Sequence, residues 1–205
     1  TRRQRKIFIE TIARADWLPV ESLLIHADNS AGISTFAPDS IYNAARIGLL
    51  QFGIRPYPES MLGSAETTPI FEFKSRVGIT KTLPKGASIS YGRTHILERE
   101  SRIAIVCAGY GDGVPLQLSN RGEVIIHGQR CPILGRVTMD QTIVDVTEID
   151  QTVASGDVVT IIGRQGDSEI RLEEFSEWAD SISWEVLCSV TKRVPRIYRT
   201  AIQSG

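Results

Sequence analysis

The spacing of apolar residues changes along the chain. Phe8, Ile12 and Ala15 recur at i, i+4 and i+7, which predicts an amphipathic helix near the start. The run Leu23 to Ala27 is short and mostly apolar, as expected of a strand buried on both faces of a parallel sheet. A weak helical pattern over 41–47 and a second apolar run over 49–54 complete an order of helix, strand, helix, strand. This order is typical of an α/β fold.

After residue 69 the pattern becomes that of a β-protein. Residues 57–69 are rich in Pro, Gly, Ser and Thr and indicate a linker. Short strand-like runs separated by turn formers then predict a mainly antiparallel sheet or barrel, with one helix marked by Leu172, Phe175 and Ala179. The runs cover residues 71–79, 87–91, 103–107, 123–127, 142–146 and 158–162. The predicted organisation is therefore an α/β segment over 1–60 and a β-domain over 67–205.

Composition narrows the class of protein. The 205 residues are 41% hydrophobic with a net charge of −1, which suits a globular chain and gives no basic surface for nucleic acid. The basic start, Arg2 to Lys6, is interpreted as the solvated face of the first helix, because no basic or aromatic stripe continues it. No apolar stretch is long enough to cross a membrane. Three cysteines without metal-like spacing suit the reducing cytoplasm.

A glycine-rich loop, Ala108 to Gly113, follows the strand predicted over 103–107. Such a loop resembles a dinucleotide-binding fingerprint, but its spacing is G-x-G-x-G, and Pro115 and Gly122 interrupt the helix that should follow. A tight turn that requires positive φ at one or more glycines is the favoured interpretation.

Two groups of residues could carry chemistry. Asn29 and Ser30 after the first predicted strand, with Gly48 before the second, offer the hydroxyl and backbone N–H groups that bind phosphate. An ordinary Asx turn would have the same sequence, and Arg46 nearby could be a surface arginine. Tyr91 could be a core or rim tyrosine or a base. A tyrosine acting as a base needs a cationic or hydrogen-bonding neighbour, for which Arg93 is the local candidate.

The remaining candidate site residues do not indicate a function by themselves. Met139 could be core packing, and Asp140 a turn carboxylate. The three histidines are dispersed and predict no metal site.

The order of six motifs resembles the alanine racemase family, whose members use pyridoxal phosphate (PLP), and the resemblance covers nearly the whole chain. The motifs are His-x-x-Asn-Ser-Ala at 26–31, Ala-Arg-x-Gly at 45–48, Ser-Tyr-Gly at 90–92, Gly-Tyr-x-Asp-Gly at 109–113, Gly-Arg-Val-x-Met-Asp-Gln at 135–141 and Arg-Val-Pro-Arg at 193–196. The resemblance implies a fold in which the last βα units of a (β/α)8 barrel precede the β-domain. It also implies a cytoplasmic homodimer that supplies D-alanine for cell-wall precursors, with the active site formed between the barrel of one subunit and the β-domain of its partner.

The same resemblance implies how PLP is bound. A lysine of the barrel carries PLP covalently, and Ser30 with the N–H groups of Gly48 and Leu49 holds the phosphate beside Asn29. Arg46 matches the arginine that hydrogen-bonds the pyridine nitrogen.

The resemblance also implies how the amino-acid substrate is handled. Tyr91 is the base on one face of the Cα atom, and the lysine serves the other face. The backbone N–H of Met139 binds the substrate carboxylate, with Asp140 beside it. Tyr110 lines the entrance.

Two departures from the family qualify these expectations. The chain has only five lysines (Lys6, Lys74, Lys81, Lys85 and Lys192), and none has the expected sequence context. We therefore expect a fragment that cannot hold PLP covalently by itself, and an isolated β-domain acting as a binding or dimerisation module is the alternative. Trp184 replaces a tyrosine near the phosphate, and its indole can only donate a hydrogen bond.

Overall fold

The chain forms two compact units, Thr1–Ile70 and Phe71–Gly205. A computed structural model describes residues 2–15, 17, 19–30, 41–55 and 67–199, so most of the predicted linker lies outside the described residues. The first unit begins with α1 (Arg2–Ala13), which confirms the predicted helix, although Ala15 lies beyond its end. The Phe8 ring stacks on the Tyr42 ring with centroids 5.8 Å apart. The apolar face of α1 is thus used in packing.

The predicted strand, helix and strand of the first unit are replaced by irregular and turn structure. Residues 23–28 form neither a helix nor a strand, and Asn29 pairs with Arg46 in a parallel bridge. Residues 41–47 form no helix, because the Asn43 side chain donates to Leu23 O and accepts from Ile25 N, each at 2.7 Å. These bonds hold Asn43 beside Leu23 and Ile25.

The predicted strand over 49–54 is wrong. Leu49–Phe52 is a 3-10 turn, and Gly53 ends it with φ of 74°. The turn forms because the N–H groups of Gly48 and Leu50 point to the Ser30 hydroxyl, rather than along a sheet. In the described part of the first unit, the last βα units of a barrel are therefore not evident beyond the single parallel bridge.

The second unit is a mainly antiparallel β-domain, as predicted. Its strands are β1 Phe73–Leu83, β2 Ser88–Ile89, β3 His95–Ile96, β4 Ser101–Val106, β5 Glu123–Ile126, β6 Gln129–Pro132, β7 Thr142–Asp145, β8 Val158–Gln165 and β9 Ser168–Ile170. One sheet has the order β6-β5-β8-β1-β4-β7 with β9 beside β8, and β2 pairs with β3. Ile133, directly after β6, forms an antiparallel bridge with Val144 of β7. The two ends of the sheet therefore meet, and the sheet closes into a barrel.

Valine and isoleucine side chains fill the β-domain. Val77, Val106, Val144 and Val159 are buried on β1, β4, β7 and β8. Burying one such side chain contributes about 1.5–3 kcal/mol. Helices α2 (Leu172–Trp178) and α3 (Ser183–Ser189) follow, and α2 contacts β8. In the part of the chain that the structure describes, every helix is too short or too polar to cross a membrane.

Candidate active site

In the first unit, a hydroxyl and several backbone N–H groups converge at Ser30. Its Oγ accepts hydrogen bonds from Gly48 N at 3.0 Å and Leu50 N at 3.5 Å, and the residue is buried. The N–H of Leu49, between these two residues, donates to no described residue. Convergent N–H groups and a hydroxyl are the donors that a phosphate requires. The Ser30 hydroxyl proton and the Leu49 N–H are the donors left for a phosphate, because the Gly48 N–H already donates to Ser30 Oγ. The phosphate-binding role of Ser30, Gly48 and Leu49 stays a prediction.

Arg46 lies close by along the chain and is held by defined partners. Its Nη1 is 3.2 Å from His26 Nδ1, and its Nη2 donates to Ala27 O at 3.2 Å. Because a guanidinium has no acceptor, His26 Nδ1 must be the unprotonated nitrogen in this contact. The parallel bridge places Asn29 beside Arg46 in the backbone. Sequence reasoning missed His26, although it opens the His-x-x-Asn-Ser motif.

In the second unit, Tyr91 projects from a strained turn that directly follows β2. Ser90 and Arg93 have φ of 61° and 50°, and Gly92 has φ of 74°. Ile89, just before the turn, packs in a buried cluster with Leu97, Ile103 and Leu134. The Tyr91 side chain is 73% exposed. A buried anchor thus presents an exposed phenol, which excludes the interpretation of Tyr91 as a core residue.

Arg93 is the local candidate for the cationic neighbour that a tyrosine base requires. Within the described residues, no hydrogen bond or ring contact joins Arg93 to Tyr91, and the Tyr91 hydroxyl has no hydrogen-bond partner.

Two other loops are joined to the Tyr91 turn by hydrogen bonds. Ser90 Oγ donates to Arg136 O at 2.6 Å, at the start of the loop over 135–141. In this loop, Thr138 O accepts a hydrogen bond from Tyr110 N, and Met139 O accepts one from Gly111 N, both at 2.9 Å. The three loops therefore form one connected cluster, called here the loop cluster (residues 90–93, 109–113 and 135–141).

The loop cluster presents two further groups. Tyr110 and Met139 have exposed side chains. No described residue accepts a hydrogen bond from the Met139 N–H, which leaves this donor available to a ligand. Gly113 has φ of 114°, as the turn interpretation of the glycine-rich loop requires, and no long helix follows that loop.

Arg193, which sequence reasoning noticed only as part of a motif, ties the loop cluster together. Its Nε lies 3.4 Å from Asp112 Oδ1, and its Nη2 donates to Asp140 Oδ1. The hydrogen bond with Asp140 and the charge of Asp112 raise the pKa of the Arg193 guanidinium. Asp140 thus has a structural partner in the second unit.

Trp184 lies near the start of α3 with its side chain 45% exposed. The preceding residue, Ser183, is buried and fixes this end of the helix. The indole is available to a ligand, but the phosphate role predicted for Trp184 remains a prediction.

Comparison with known proteins identifies the sequences that this chain resembles. Residues 70–198 match the family described as "Alanine racemase, C-terminal domain". The chain is 41% identical over 198 residues to the alanine racemase of Symbiobacterium thermophilum, covering 97% of this chain and 52% of that protein. It is 38% identical over 185 residues to that of Halothermothrix orenii, covering 90% and 48%. The chain thus spans about half the length of the curated relatives it matches.

Solved structures give the same result. The alanine racemase of Bacillus anthracis with bound L-Ala-P superimposes with a TM-score of 0.83 at 33% identity, over 97% of this chain and 50% of that one. The alanine racemase of Bartonella henselae with covalently bound pyridoxal phosphate gives a TM-score of 0.82 at 29% identity, over 97% and 52%.

Proposed function

The chain belongs to the alanine racemase family, and we propose that the protein it is part of interconverts L- and D-alanine with PLP. The loop cluster carries this proposal, because one hydrogen-bonded set of loops presents an exposed phenol and an unused backbone donor. A proton carrier and a carboxylate-binding N–H are two groups that racemisation of an amino acid requires.

Tyr91 is the proposed base on one face of the substrate. Its exposure allows the hydroxyl to reach a ligand held by other residues, and the buried Ile89 fixes the backbone from which it projects. PLP, when bound, makes the Cα proton removable by withdrawing its electron pair into the ring. Tyr91 takes or returns that proton, and a lysine carried elsewhere in the protein serves the opposite face.

The Met139 N–H is the proposed donor to the substrate carboxylate. Asp140 follows it in the same loop, where its pairing with Arg193 holds the backbone in place. The backbone N–H of Tyr110 donates to Thr138 O, and the Tyr110 side chain lines the approach to the Met139 N–H. Together these groups would orient the Cα–H bond toward Tyr91.

The first unit contributes the proposed cofactor contacts. Ser30 Oγ with the N–H groups of Gly48 and Leu49 would hold the PLP phosphate, and Asn29 and Trp184 would lie beside it. Arg46 would donate to the pyridine nitrogen, since its partners His26 and Ala27 already restrain the guanidinium. Such a fixed cation keeps the ring nitrogen unprotonated.

The domain assignment and the assembly are also proposals. We place residues 1–60 in the last part of a (β/α)8 barrel, supported by the parallel bridge between Asn29 and Arg46. Residues 67–205 are the β-domain. A homodimer in the cytoplasm would bring the β-domain of one protomer to the barrel of its partner. The proposal is supported by the Tyr91 hydroxyl, which is exposed and makes no hydrogen bond to a described residue.

The test is isotope exchange in the full-length protein. In D2O, the unmodified protein should exchange the Cα proton of both L- and D-alanine. Tyr91→Phe should retain exchange for one enantiomer only, abolish racemisation and still bind PLP by near-visible absorbance. Tyr198→Phe is the matched control, because Tyr198 is 91% exposed and lies outside the loop cluster. Unchanged racemisation by Tyr91→Phe would remove Tyr91 from the mechanism.

The alternative, a non-catalytic binding or dimerisation module, is favoured by one observation: Phe71–Gly205 is a compact unit by itself. The 205-residue chain distinguishes the two functions cheaply. If it titrates with PLP to a stable near-visible band that borohydride fixes covalently, the chain carries its own cofactor lysine and the module interpretation fails.

A further inference from the structure

We propose that Arg193 is a positioning residue that fixes the Met139 N–H for substrate binding by pairing with one carboxylate on each of two loops. The proposal rests on the proposed racemase function and adds a residue to it. Its basis is the position of Arg193 between Asp112, in the loop that carries Tyr110, and Asp140, which follows Met139.

The first carboxylate is part of the backbone structure of its loop. One carboxylate oxygen of Asp112 accepts a hydrogen bond from Gly109 N at 3.0 Å, and the other oxygen lies 3.4 Å from Arg193 Nε. Asp112 is largely buried, with 14% of its side chain exposed. Arg193 therefore contacts a carboxylate that already determines the shape of the Tyr110 loop.

The second carboxylate belongs to the loop that offers the substrate donor. Asp140 is 58% exposed and accepts a hydrogen bond from Arg193 Nη2. The turn that contains both residues is closed by Thr138 N donating to Gln141 O at 3.0 Å, and Gly111 N donates to Met139 O. The contact with Arg193 adds a restraint through the Asp140 side chain. The guanidinium thus restrains the residue next to the unused Met139 N–H.

The backbone around Arg193 is itself attached to the same loop. Thr191 Oγ1 donates to Gly111 O at 2.7 Å, and Thr191 N donates to Asp112 O at 3.3 Å. Arg196 donates to Thr191 O and Val194 O at 2.6 and 2.7 Å, which closes the segment into a compact turn. Arg193 therefore projects from a fixed base, as a positioning residue must.

An arginine suits this task better than a lysine. Two different nitrogens of one planar group reach two carboxylates, whereas an ammonium is a single point of charge on a flexible stem. A Cβ on Gly111 would lie 2.3 Å from Arg193 Nη1, so the guanidinium packs directly on the loop backbone. Both features require the planar fork.

The test uses full-length protein with Arg193→Gln, Arg193→Lys and the control Arg121→Gln. Arg121 is also an exposed arginine paired with an aspartate, Asp180, but outside the loop cluster. We expect Arg193→Gln to raise KM for alanine by about 10- to 100-fold, as for a small misplacement of a binding group. The kcat per PLP-loaded site should change much less, Arg193→Lys should be intermediate, and Arg121→Gln should match the unmodified protein.

Hydrogen exchange gives a readout that does not depend on catalysis. The amides of Tyr110 and Gly111, which donate to Thr138 and Met139, should exchange at least several-fold faster in Arg193→Gln. An unchanged KM with unchanged exchange of these amides overturns the proposal. A lower kcat and melting temperature with unchanged KM also overturns it, because Arg193 would then be merely structural. If the unmodified protein is inactive, the proposed function is refuted instead. The hydrogen exchange of the Tyr110 and Gly111 amides would still test whether Arg193 holds the two loops together.

Discussion

Gly109→Ala should separate the two loops that present Tyr110 and Met139. Gly109 has no positive φ, so the backbone itself accepts alanine, and the effect comes from contact alone. A Cβ at this position would lie 2.1 Å from Thr138 O and 2.6 Å from Met139 O. Ordinary contacts begin at 3.4 Å, so the loop must move by about 1.3 Å (3.4 − 2.1).

The size of the effect follows from the bonds that this movement strains. The hydrogen bonds from Tyr110 N to Thr138 O and from Gly111 N to Met139 O cross the same gap. Losing two backbone hydrogen bonds and overpacking the site should cost about 2–4 kcal/mol of stability. A displacement of about 1 Å at a substrate-binding group lowers kcat/KM by about 100-fold.

The assay compares Gly109→Ala with Gly78→Ala in the full-length protein. Gly78 also lacks positive φ, but a Cβ there would contact the Cys107 sulfur at 2.9 Å, a side-chain atom that can rotate away. Melting temperature and kcat/KM for alanine are measured for both variants. If Gly109→Ala keeps kcat/KM within a factor of about two of Gly78→Ala, the contact between the two loops does not control substrate binding.

Three further predictions concern other parts of the chain. Arg130 donates to Glu174 and lowers the pKa of that carboxyl, so its stabilisation is complete above the ordinary glutamate value of about 4.3 and is lost as pH falls further. Glu174→Gln should therefore flatten the decline in melting temperature below about pH 4. Thr160→Val should raise the free energy of unfolding by about 1 kcal/mol, because the buried Thr160 hydroxyl has no partner among the described residues; urea denaturation measures this. Trp184→Phe should weaken PLP binding about tenfold if the indole N–H donates to the phosphate, as measured by equilibrium dialysis, whereas unchanged PLP affinity would exclude that contact.

The strand pattern of the β-domain could be predicted because most of its longer strands contain runs rich in valine and isoleucine that turn formers separate. Each predicted run overlaps an observed strand, from Phe73–Leu83 to Val158–Gln165. Strand β6 was missed because Gln129–Pro132 has one apolar side chain and a proline, which gives no alternation. Its place in the sheet depends on pairing with β5, which is a tertiary effect that local sequence does not contain.

The first unit was predicted less well because its apolar runs were assigned by analogy with buried parallel strands. A short apolar run has no periodicity that separates a strand from a turn. At Leu49–Phe52 the hydrogen bonds to Ser30 decided the outcome, and at 41–47 the Asn43 side chain did. Both are polar contacts between segments distant in sequence, so the apolar pattern could not report them.

The candidate residues could be selected from motifs, but their connection could not. Tyr91, Tyr110 and Met139 lie in three separate motifs, and the bonds that join their loops use mainly backbone atoms, such as Tyr110 N and Thr138 O. Any residue except proline has a backbone N–H, so hydrogen bonds between backbones cannot be predicted from residue types. The sequence shows them only indirectly, through Gly109 and Gly111, where a side chain would collide with the facing loop. Gly109 and Gly111 are thus best explained by the close approach of the loop over 135–141, which is also what places a free N–H and an exposed phenol in one connected surface.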